Sequence, residues 1–239
     1  VPERRVGHQA RQLQGQEDAE VAGAHARPRL VREADVPEQD DGREDGHAFA
    51  DLAADEAGTL YLAWLDSRDG AQGLRAAVSG DSGRTWETNG SPDARSCECC
   101  WNRVAAAGRD GAYVLYRDRD PRDMALVATR DGGREWTRRG SVGAFAWQFE
   151  GCPEVGGGLV AQATGRLDAV VWTGEEKRQG VYALGSTDDG RTWSAPAALG
   201  TKAARSPDLA RAGSVLQAIW EERGAVFGMA FPGHPRLDV

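Results

Sequence analysis

The 239-residue chain has no apolar run close to the roughly 18 residues of a membrane-spanning helix, so we expect no membrane span. It also has no excess of basic residues: 37 acidic side chains outnumber 29 basic ones, and the net charge is −8. Because nucleic-acid-binding domains are usually basic, we expect no nucleic-acid partner. No stretch shows helical periodicity over several turns, which predicts an all-β protein. The two Met and eight Trp indicate elements that are packed by aromatic anchors.

One short motif occurs three times. Each copy reads Ser/Thr-x-Asp-x-Gly-x-x-Trp, and the copies begin at Ser79, Thr129 and Ser186. In such a turn the Asp carboxylate accepts bonds from nearby amides, Gly supplies a positive φ, and Trp anchors the turn against a sheet. The residues expected in these roles are Asp81, Gly83, Trp86, Asp131, Gly133, Trp136, Asp188, Gly190 and Trp193. The motif resembles the Asp box, or bacterial neuraminidase repeat, of sialidase-like β-propellers.

The spacing of the motif gives the size of the repeating unit. Its three Asp positions lie 50 and 57 residues apart, close to the roughly 40–50 residues of a propeller blade. Runs of β-forming residues recur at a similar period, and they end in Trp64, Tyr116, Trp172 and Trp220. Short strands with regular turn signals also predict an all-β fold. We therefore expect a sialidase-like β-propeller over residues 46–239, with three full blades and a partial fourth. The resemblance implies a six-bladed parent, of which this chain would be a fragment.

Residues 1–45 differ from the rest of the chain. They are dense in Arg, Gln, Glu and Asp, and they contain no aromatic residue. Two interpretations are open: a disordered polar extension, or translation from a shifted reading frame or a mispredicted start. No signal peptide is visible in the chain.

All four cysteines lie in two short segments, at 97–100 and 151–153. Cys100 follows the first motif Asp by 19 residues, and Cys152 follows the second by 21. Both positions fall in a connection that enters an inner strand near the propeller axis, so the two segments should converge. Three interpretations are open: disulfides of an exported protein, a thiolate site for copper or zinc, or a reactive thiol. The four residues concerned are Cys97, Cys99, Cys100 and Cys152. A bond from Cys97 or Cys99 to Cys152 is easier than a strained bond between neighbouring cysteines.

The loops that follow the second strands carry the other candidate site residues. Residues 116–124 hold the densest set of Arg and Asp, and Asp66 and Arg68 occupy the matching place one blade earlier. Arginines among carboxylates can hold an anionic ligand through paired bonds while the carboxylates fix their orientation. The alternative is a solvated ladder of salt bridges. The residues expected to bind a ligand are Arg68, Arg117, Arg122 and Asp123, and the candidate catalytic acids are Asp66 and Asp118.

Residues 46–231 as a whole resemble a branch of the sialidase-like proteins that carries the Cys-x-Cys-Cys and Gly-Cys-Pro motifs. The resemblance implies an exported bacterial protein, periplasmic or secreted. An exo-sialidase uses three arginines, a Tyr activated by Glu, and an Asp acid, but the family's Arg-Ile-Pro signature is absent from this chain. The first hypothesis is therefore a sialidase-related protein that binds an anionic carbohydrate, another small ligand or a partner on its axial face. Exo-α-sialidase activity is one alternative, and copper or zinc binding by the cysteines is a second. The oligomeric state stays open.

Overall fold

The computed structural model describes residues 48–67 and 70–232, and every regular element in these ranges is a β-strand. The predicted extension at 1–45 and the candidate ligand residue Arg68 lie outside the described residues. The strands are β1 (Ala48–Ala54), β2 (Leu60–Asp66), β3 (Gly73–Ser79), β4 (Glu87–Asp93), β5 (Arg103–Ala106), β6 (Ala112–Arg117), β7 (Met124–Thr129), β8 (Thr137–Ser141), β9 (Gly158–Ala161), β10 (Leu167–Thr173), β11 (Gly180–Ser186), β12 (Ala197–Leu199), β13 (Ala204–Ala212), β14 (Val215–Glu222) and β15 (Ala225–Pro232).

The strands form four antiparallel sheets in chain order, which we call blades 1 to 4. The blades contain β1–β4, β5–β8, β9–β12 and β13–β15, and each strand pairs with the next one along the chain. The first strands of successive blades contact one another, β1 with β5, β5 with β9, and β9 with β13. This arrangement confirms the prediction of an all-β partial propeller with three full blades and a partial fourth among the described residues. No helix in these ranges is long and apolar enough to cross a membrane.

The hydrophobic cores lie between blades. Successive side chains of a strand point to opposite faces of its sheet, so a blade with a neighbour on each side packs apolar side chains against both neighbours. In β6, Val114 and Tyr116 pack towards blade 1, whereas Tyr113 and Leu115 pack towards blade 3. The strands β6, β7 and β10 are buried along their whole length, which explains their nearly continuous apolar sequences. In β14, buried and exposed residues alternate, since only one of its faces meets another blade among the described residues.

A repeated set of hydrogen bonds closes the outer turn of blade 1. The Asp81 carboxylate accepts bonds from the amide and the hydroxyl of Thr85, both at 2.8 Å. Ser79 Oγ donates to the same carboxylate at 2.8 Å and accepts from the amide of Gly83 at 2.8 Å. These bonds, the Thr85 amide first, lower the pKa of Asp81 to about 2. Equivalent bonds form in the turns of blades 2 and 3, at Thr129, Asp131, Gly133 and Glu135 and at Ser186, Asp188, Gly190 and Thr192.

Two of these turns also pack against the preceding blade. A Cβ at Gly133 would lie 2.2 Å from Val78 Cγ2 in β3, and one at Gly190 would lie 2.4 Å from Leu126 Cδ2 in β7. The half-buried Trp136 and Trp193 pack onto the cores between the same pairs of blades. The turn therefore joins neighbouring blades as well as the two strands of its own hairpin. Trp86, in the first turn, is half buried and has no preceding blade in the described ranges.

The close approach of the second turn to blade 1 predicts a specific cost for Gly133→Ala. Gly133 and Gly58 both have a φ of +85°, but nothing lies within 4 Å of a Cβ at Gly58. Gly58→Ala should cost about 1 kcal/mol, because only the left-handed backbone is penalised. Gly133→Ala should cost about 3 kcal/mol, because overpacking against Val78 is added. Urea unfolding measures both variants, and equal losses would show that the contact with Val78 carries no weight.

Candidate functional site

A polar cleft of about 1140 Å³ lies at one end of blade 2. Three segments form it: the connection that follows β4, the loop between β6 and β7, and residues 148–152 ahead of β9, with one contribution from β8. Its lining is rich in both charges and consists of Asp93, Arg95, Glu98, Asp118, Arg119, Asp120, Arg122, Arg138, Gln148, Phe149, Glu150, Gly151 and Cys152.

Arg122 is the deepest cation of this cleft. It is 5% exposed, and its Nε donates to the carbonyl of Phe149 at 3.0 Å. Its Nη1 is buried and makes no hydrogen bond, and the ion pair from this atom to Glu98 Oε2 has a length of 3.5 Å. The more exposed Arg119 also pairs with Glu98. Glu98 thus holds two guanidinium groups at the wall of the cleft.

Asp118 lies on another wall of the cleft. It is buried and forms an ion pair with Arg138, whose Nε also lies 3.8 Å from Asp93 Oδ2. The hydroxyl of Tyr116 donates to the same Asp93 oxygen at 2.5 Å. Burial is the main cause that raises the pKa of Asp118, although the amide of Arg119 and the charge of Arg138 oppose it. The cleft therefore contains a carboxyl group that holds its proton more tightly than an exposed Asp does.

Arg117, a residue predicted from sequence to bind a ligand, does not line the cleft. It is 1% exposed, and burial lowers its pKa. Its Nη1 donates to the carbonyl of Arg122, while Nε and Nη2 donate to that of Val155 at 3.2 and 3.1 Å. Nη2 also donates to the carbonyl of Trp172 at 3.0 Å. The guanidinium lies over the rings of Trp147 and Trp172, at 5.5 and 5.8 Å from their centroids. Arg117 thus joins connections of two blades.

Asp66 and Asp123 are likewise buried, and neither lines the cleft. Asp66 accepts a bond from Trp64 Nε1 at 3.0 Å and lies 3.6 Å from Arg75 Nε. Asp123 accepts the amides of Ala146 and Trp147 at 2.8 and 3.1 Å. In this structure both carboxylates organise strands and loops beneath the surface. Of the residues predicted to bind a ligand or to act as acids, Arg122 and Asp118 line the cleft, and Cys152 of the cysteine set lines it too.

The two cysteine segments converge as predicted. Cys99 forms a disulfide with Cys152, and Cys97 and Cys100 are buried thiols. The Cys97 sulfur lies 3.3 Å from that of Cys100 and 3.7 Å from that of Cys99. A hydrogen bond from Cys100, together with the charges of nearby arginines, lowers the pKa of Cys97 to about 6, and the same bond raises the pKa of Cys100.

Three sulfur atoms of this cluster lie within 4.8 Å of one another, those of Cys97, Cys99 and Cys100. A structural zinc site takes four ligands, and one of these three sulfurs is already bonded to Cys152. Two thiols remain, which is too few for zinc. Reduction of the disulfide would supply further thiolates, and soft thiolates suit copper(I) as well as zinc.

Sequence reasoning missed Glu98, Arg119 and Arg138 as cleft residues. Glu98 stands inside the Cys-x-Cys-Cys motif, and Arg119 adjoins Asp118, so proximity in the sequence could have found both. Arg138 lies in β8, whose sequence carries no sign that it reaches the loop between β6 and β7.

Neither a model of a known protein family nor a curated protein sequence matches the chain. Its fold is similar to that of the Hadza microbial sialidase Hz136, with a TM-score of 0.53 and 20% identity over 76% of this chain and 36% of that one. It is also similar to the NanB sialidase of Streptococcus pneumoniae, with a TM-score of 0.53 and 12% identity over 73% of this chain and 28% of that one. The K499G mutant of NanB gives a TM-score of 0.52 and 15% identity over 72% of this chain and 27% of that one. The chain thus spans about a third of the length of these structures, and the likeness shows a shared fold.

The buried bonds of Arg117 predict a large loss of stability for Arg117→Met. The substitution keeps an apolar stem but leaves three carbonyls without their donor, which should cost about 3 kcal/mol or more. Arg119→Met removes a half-exposed ion pair with Glu98 and should cost less than about 1 kcal/mol. Urea unfolding of both variants gives the comparison. Equal stabilities would contradict the structural role of Arg117.

Proposed function

We propose that the cleft on blade 2 binds an acidic carbohydrate. The observation that carries the proposal is Arg122, a cation that lines the cleft and is held in place by the carbonyl of Phe149 and by the Glu98 carboxylate. Guanidinium groups bind carboxylates through charge-assisted bonds, and the carboxylate of a ligand in the cleft would supply two acceptor oxygens. Glu98 fixes the direction of this guanidinium without forming a hydrogen bond to its Nη1.

The rest of the lining favours a sugar over a simple anion. Carboxylates and guanidinium groups both line the cleft, and both can bond to hydroxyl groups. Phe149 is 42% exposed and stacks on Trp147 at 5.1 Å, which presents a rigid apolar ring beside these charges. Ligand pockets commonly combine such an apolar surface with a few placed polar groups. The sialidases with a similar fold support the same class of ligand.

The disulfide supports export of the protein to an oxidising compartment, the periplasm or the exterior, because disulfides persist there. It also ties Cys152, a residue of the cleft wall, to the segment that carries Glu98. We expect the oxidised form to be the one that binds the ligand.

Arg122→Gln should weaken binding of 3′-sialyllactose by about tenfold or more, because a charge-assisted bond is lost. Calorimetric titration measures the affinity, and neutral lactose is the matched ligand without the carboxylate. Arg134→Gln is the control variant, since Arg134 is exposed on the outer turn of the same blade and bonds to the carbonyl of Asp131. Equal binding of both sugars, no binding of either, or an unchanged affinity in Arg122→Gln would overturn the proposal.

Hydrolysis of a sialoside is a second candidate function, and the raised pKa of Asp118 in the cleft favours it. A raised pKa brings a carboxyl closer to the range in which it can donate a proton as a general acid. Asp118→Asn should then lower kcat for release of 4-methylumbelliferone from its sialoside by about 10²-fold to 10⁴-fold. Asp120→Asn, a change at an exposed carboxylate of the same cleft, should leave kcat nearly unchanged. No release by the unaltered protein, or equal effects of the two changes, would exclude this role for Asp118.

Binding of copper or zinc by the reduced cysteines is a third candidate, supported by the three sulfurs that lie within 4.8 Å of one another. It requires opening of the bond between Cys99 and Cys152, which would give a set of four thiolates. The metal content of protein purified without oxygen separates this state from the oxidised one.

A further inference from the structure

We propose that the four cysteines form a thiol–disulfide exchange centre, in which Cys97 opens the disulfide between Cys99 and Cys152. The Cys97 sulfur lies 3.7 Å from the bonded sulfur of Cys99. Exchange proceeds when a thiolate attacks a disulfide sulfur, so the attacking atom must reach that sulfur directly. Cys97 meets this requirement because only one residue separates it from Cys99. Two distant segments of the chain therefore need not move together for the attack.

A second buried thiol is placed to continue the reaction. Cys100 lies 3.3 Å from Cys97, so a disulfide that has reached Cys97 can pass on to Cys100.

The reaction needs no external oxidant. The Cys97 thiolate attacks Cys99, the bond between Cys97 and Cys99 forms, and the bond from Cys99 to Cys152 breaks with its electron pair left on Cys152. The Cys152 thiolate, at the cleft surface, takes up a proton from water. Cys100 can then attack Cys97, which forms a bond between Cys97 and Cys100, breaks the bond between Cys97 and Cys99, and passes the proton of Cys100 to Cys99, which leaves as the thiol. One disulfide and two thiols are present before and after each step.

Solvent reaches this centre through Cys152. Cys97 and Cys100 are 0% and 1% exposed, whereas Cys152 is exposed in the wall of the cleft. The exchange therefore moves a thiol from the interior to the cleft surface, where thiols or disulfides of other molecules could react with it. It also releases the tether between residues 148–152 and the Cys97–Cys100 segment. The effect of that release on ligand binding rests on the function proposed above, but the exchange itself does not.

Trapping of the released thiol tests the proposal. The 239-residue chain, purified without reductant, is incubated in its native state with iodoacetamide, and the remaining thiols are then labelled with N-ethylmaleimide under denaturing conditions. Peptide mass spectrometry shows which cysteine carries which label and which pairs are bonded. We expect iodoacetamide on Cys152, together with a new disulfide from Cys97 to Cys99 or to Cys100.

Two variants assign the attacking sulfur. In Cys97→Ser the labelling of Cys152 should be slower by about tenfold or more, because the remaining thiol, Cys100, could open the disulfide only by forming a strained bond to its sequence neighbour Cys99. In Cys100→Ser the labelling of Cys152 should persist, with the bond now trapped between Cys97 and Cys99. Near-ultraviolet circular dichroism, which reports on the packed Trp side chains, shows that both variants keep the native fold.

Four results would overturn the proposal. Labelling of Cys152 at the same rate in the unaltered chain and in Cys97→Ser would mean that another route opens the disulfide. Exclusive labelling of Cys97 and Cys100 would mean that the disulfide stays closed. A purified chain with two disulfides would lack an attacking thiol, and four sulfurs holding a metal would leave no disulfide to open. None of these readouts depends on ligand binding. The exchange proposal can therefore be overturned while the proposed ligand binding stands, and ligand binding can be overturned while the exchange stands.

Discussion

The buried guanidinium of Arg117 holds together the part of the molecule that surrounds the cleft. It donates to carbonyls of the loop after β6, of the connection ahead of β9, and of the end of β10. Backbone carbonyls buried outside a β-ladder need donors, and here one side chain supplies them to two blades. The faces of Trp147 and Trp172 enclose the same group, so a cation takes the place that a hydrophobic side chain would otherwise fill. The position of Arg122 follows, because its carbonyl is one of the three acceptors.

The fold could be predicted from sequence because the chemistry of the outer turns is local. Each motif places its acceptor, its donor and its glycine within eight residues, so a single pattern reports a complete hairpin end. The register of the strands was less certain. Trp172 was aligned with Tyr116 and Trp220 as a strand-ending aromatic, yet Tyr116 and Trp220 face the preceding blade and Trp172 faces the following one. A shift of one residue in a strand reverses the face, and nothing local to Trp172 signals that shift.

The site was predictable only in part, because burial depends on groups distant in the sequence. The acidic and basic loop at 116–124 does reach a cleft, through Asp118 and Arg122. Arg117, adjacent to Asp118, points the other way, and its acceptors include carbonyls 38 and 55 residues further along the chain. Composition alone gives Arg117 and Arg122 the same chemistry. Their places differ, because Arg117 is the last residue of β6, whereas Arg122 lies in the loop that follows and lines the cleft.

Cores that lie between blades rather than within them make each sheet dependent on its neighbours. Each described interface combines side chains from two blades, so no blade encloses a core by itself. The stability of such an array is close to a sum of nearest-neighbour terms, as in a one-dimensional Ising chain. Amide protons of blades 2 and 3, which have a partner on both sides, should exchange with solvent more slowly than those of β14 and β15. Local opening would then proceed blade by blade instead of in one cooperative step.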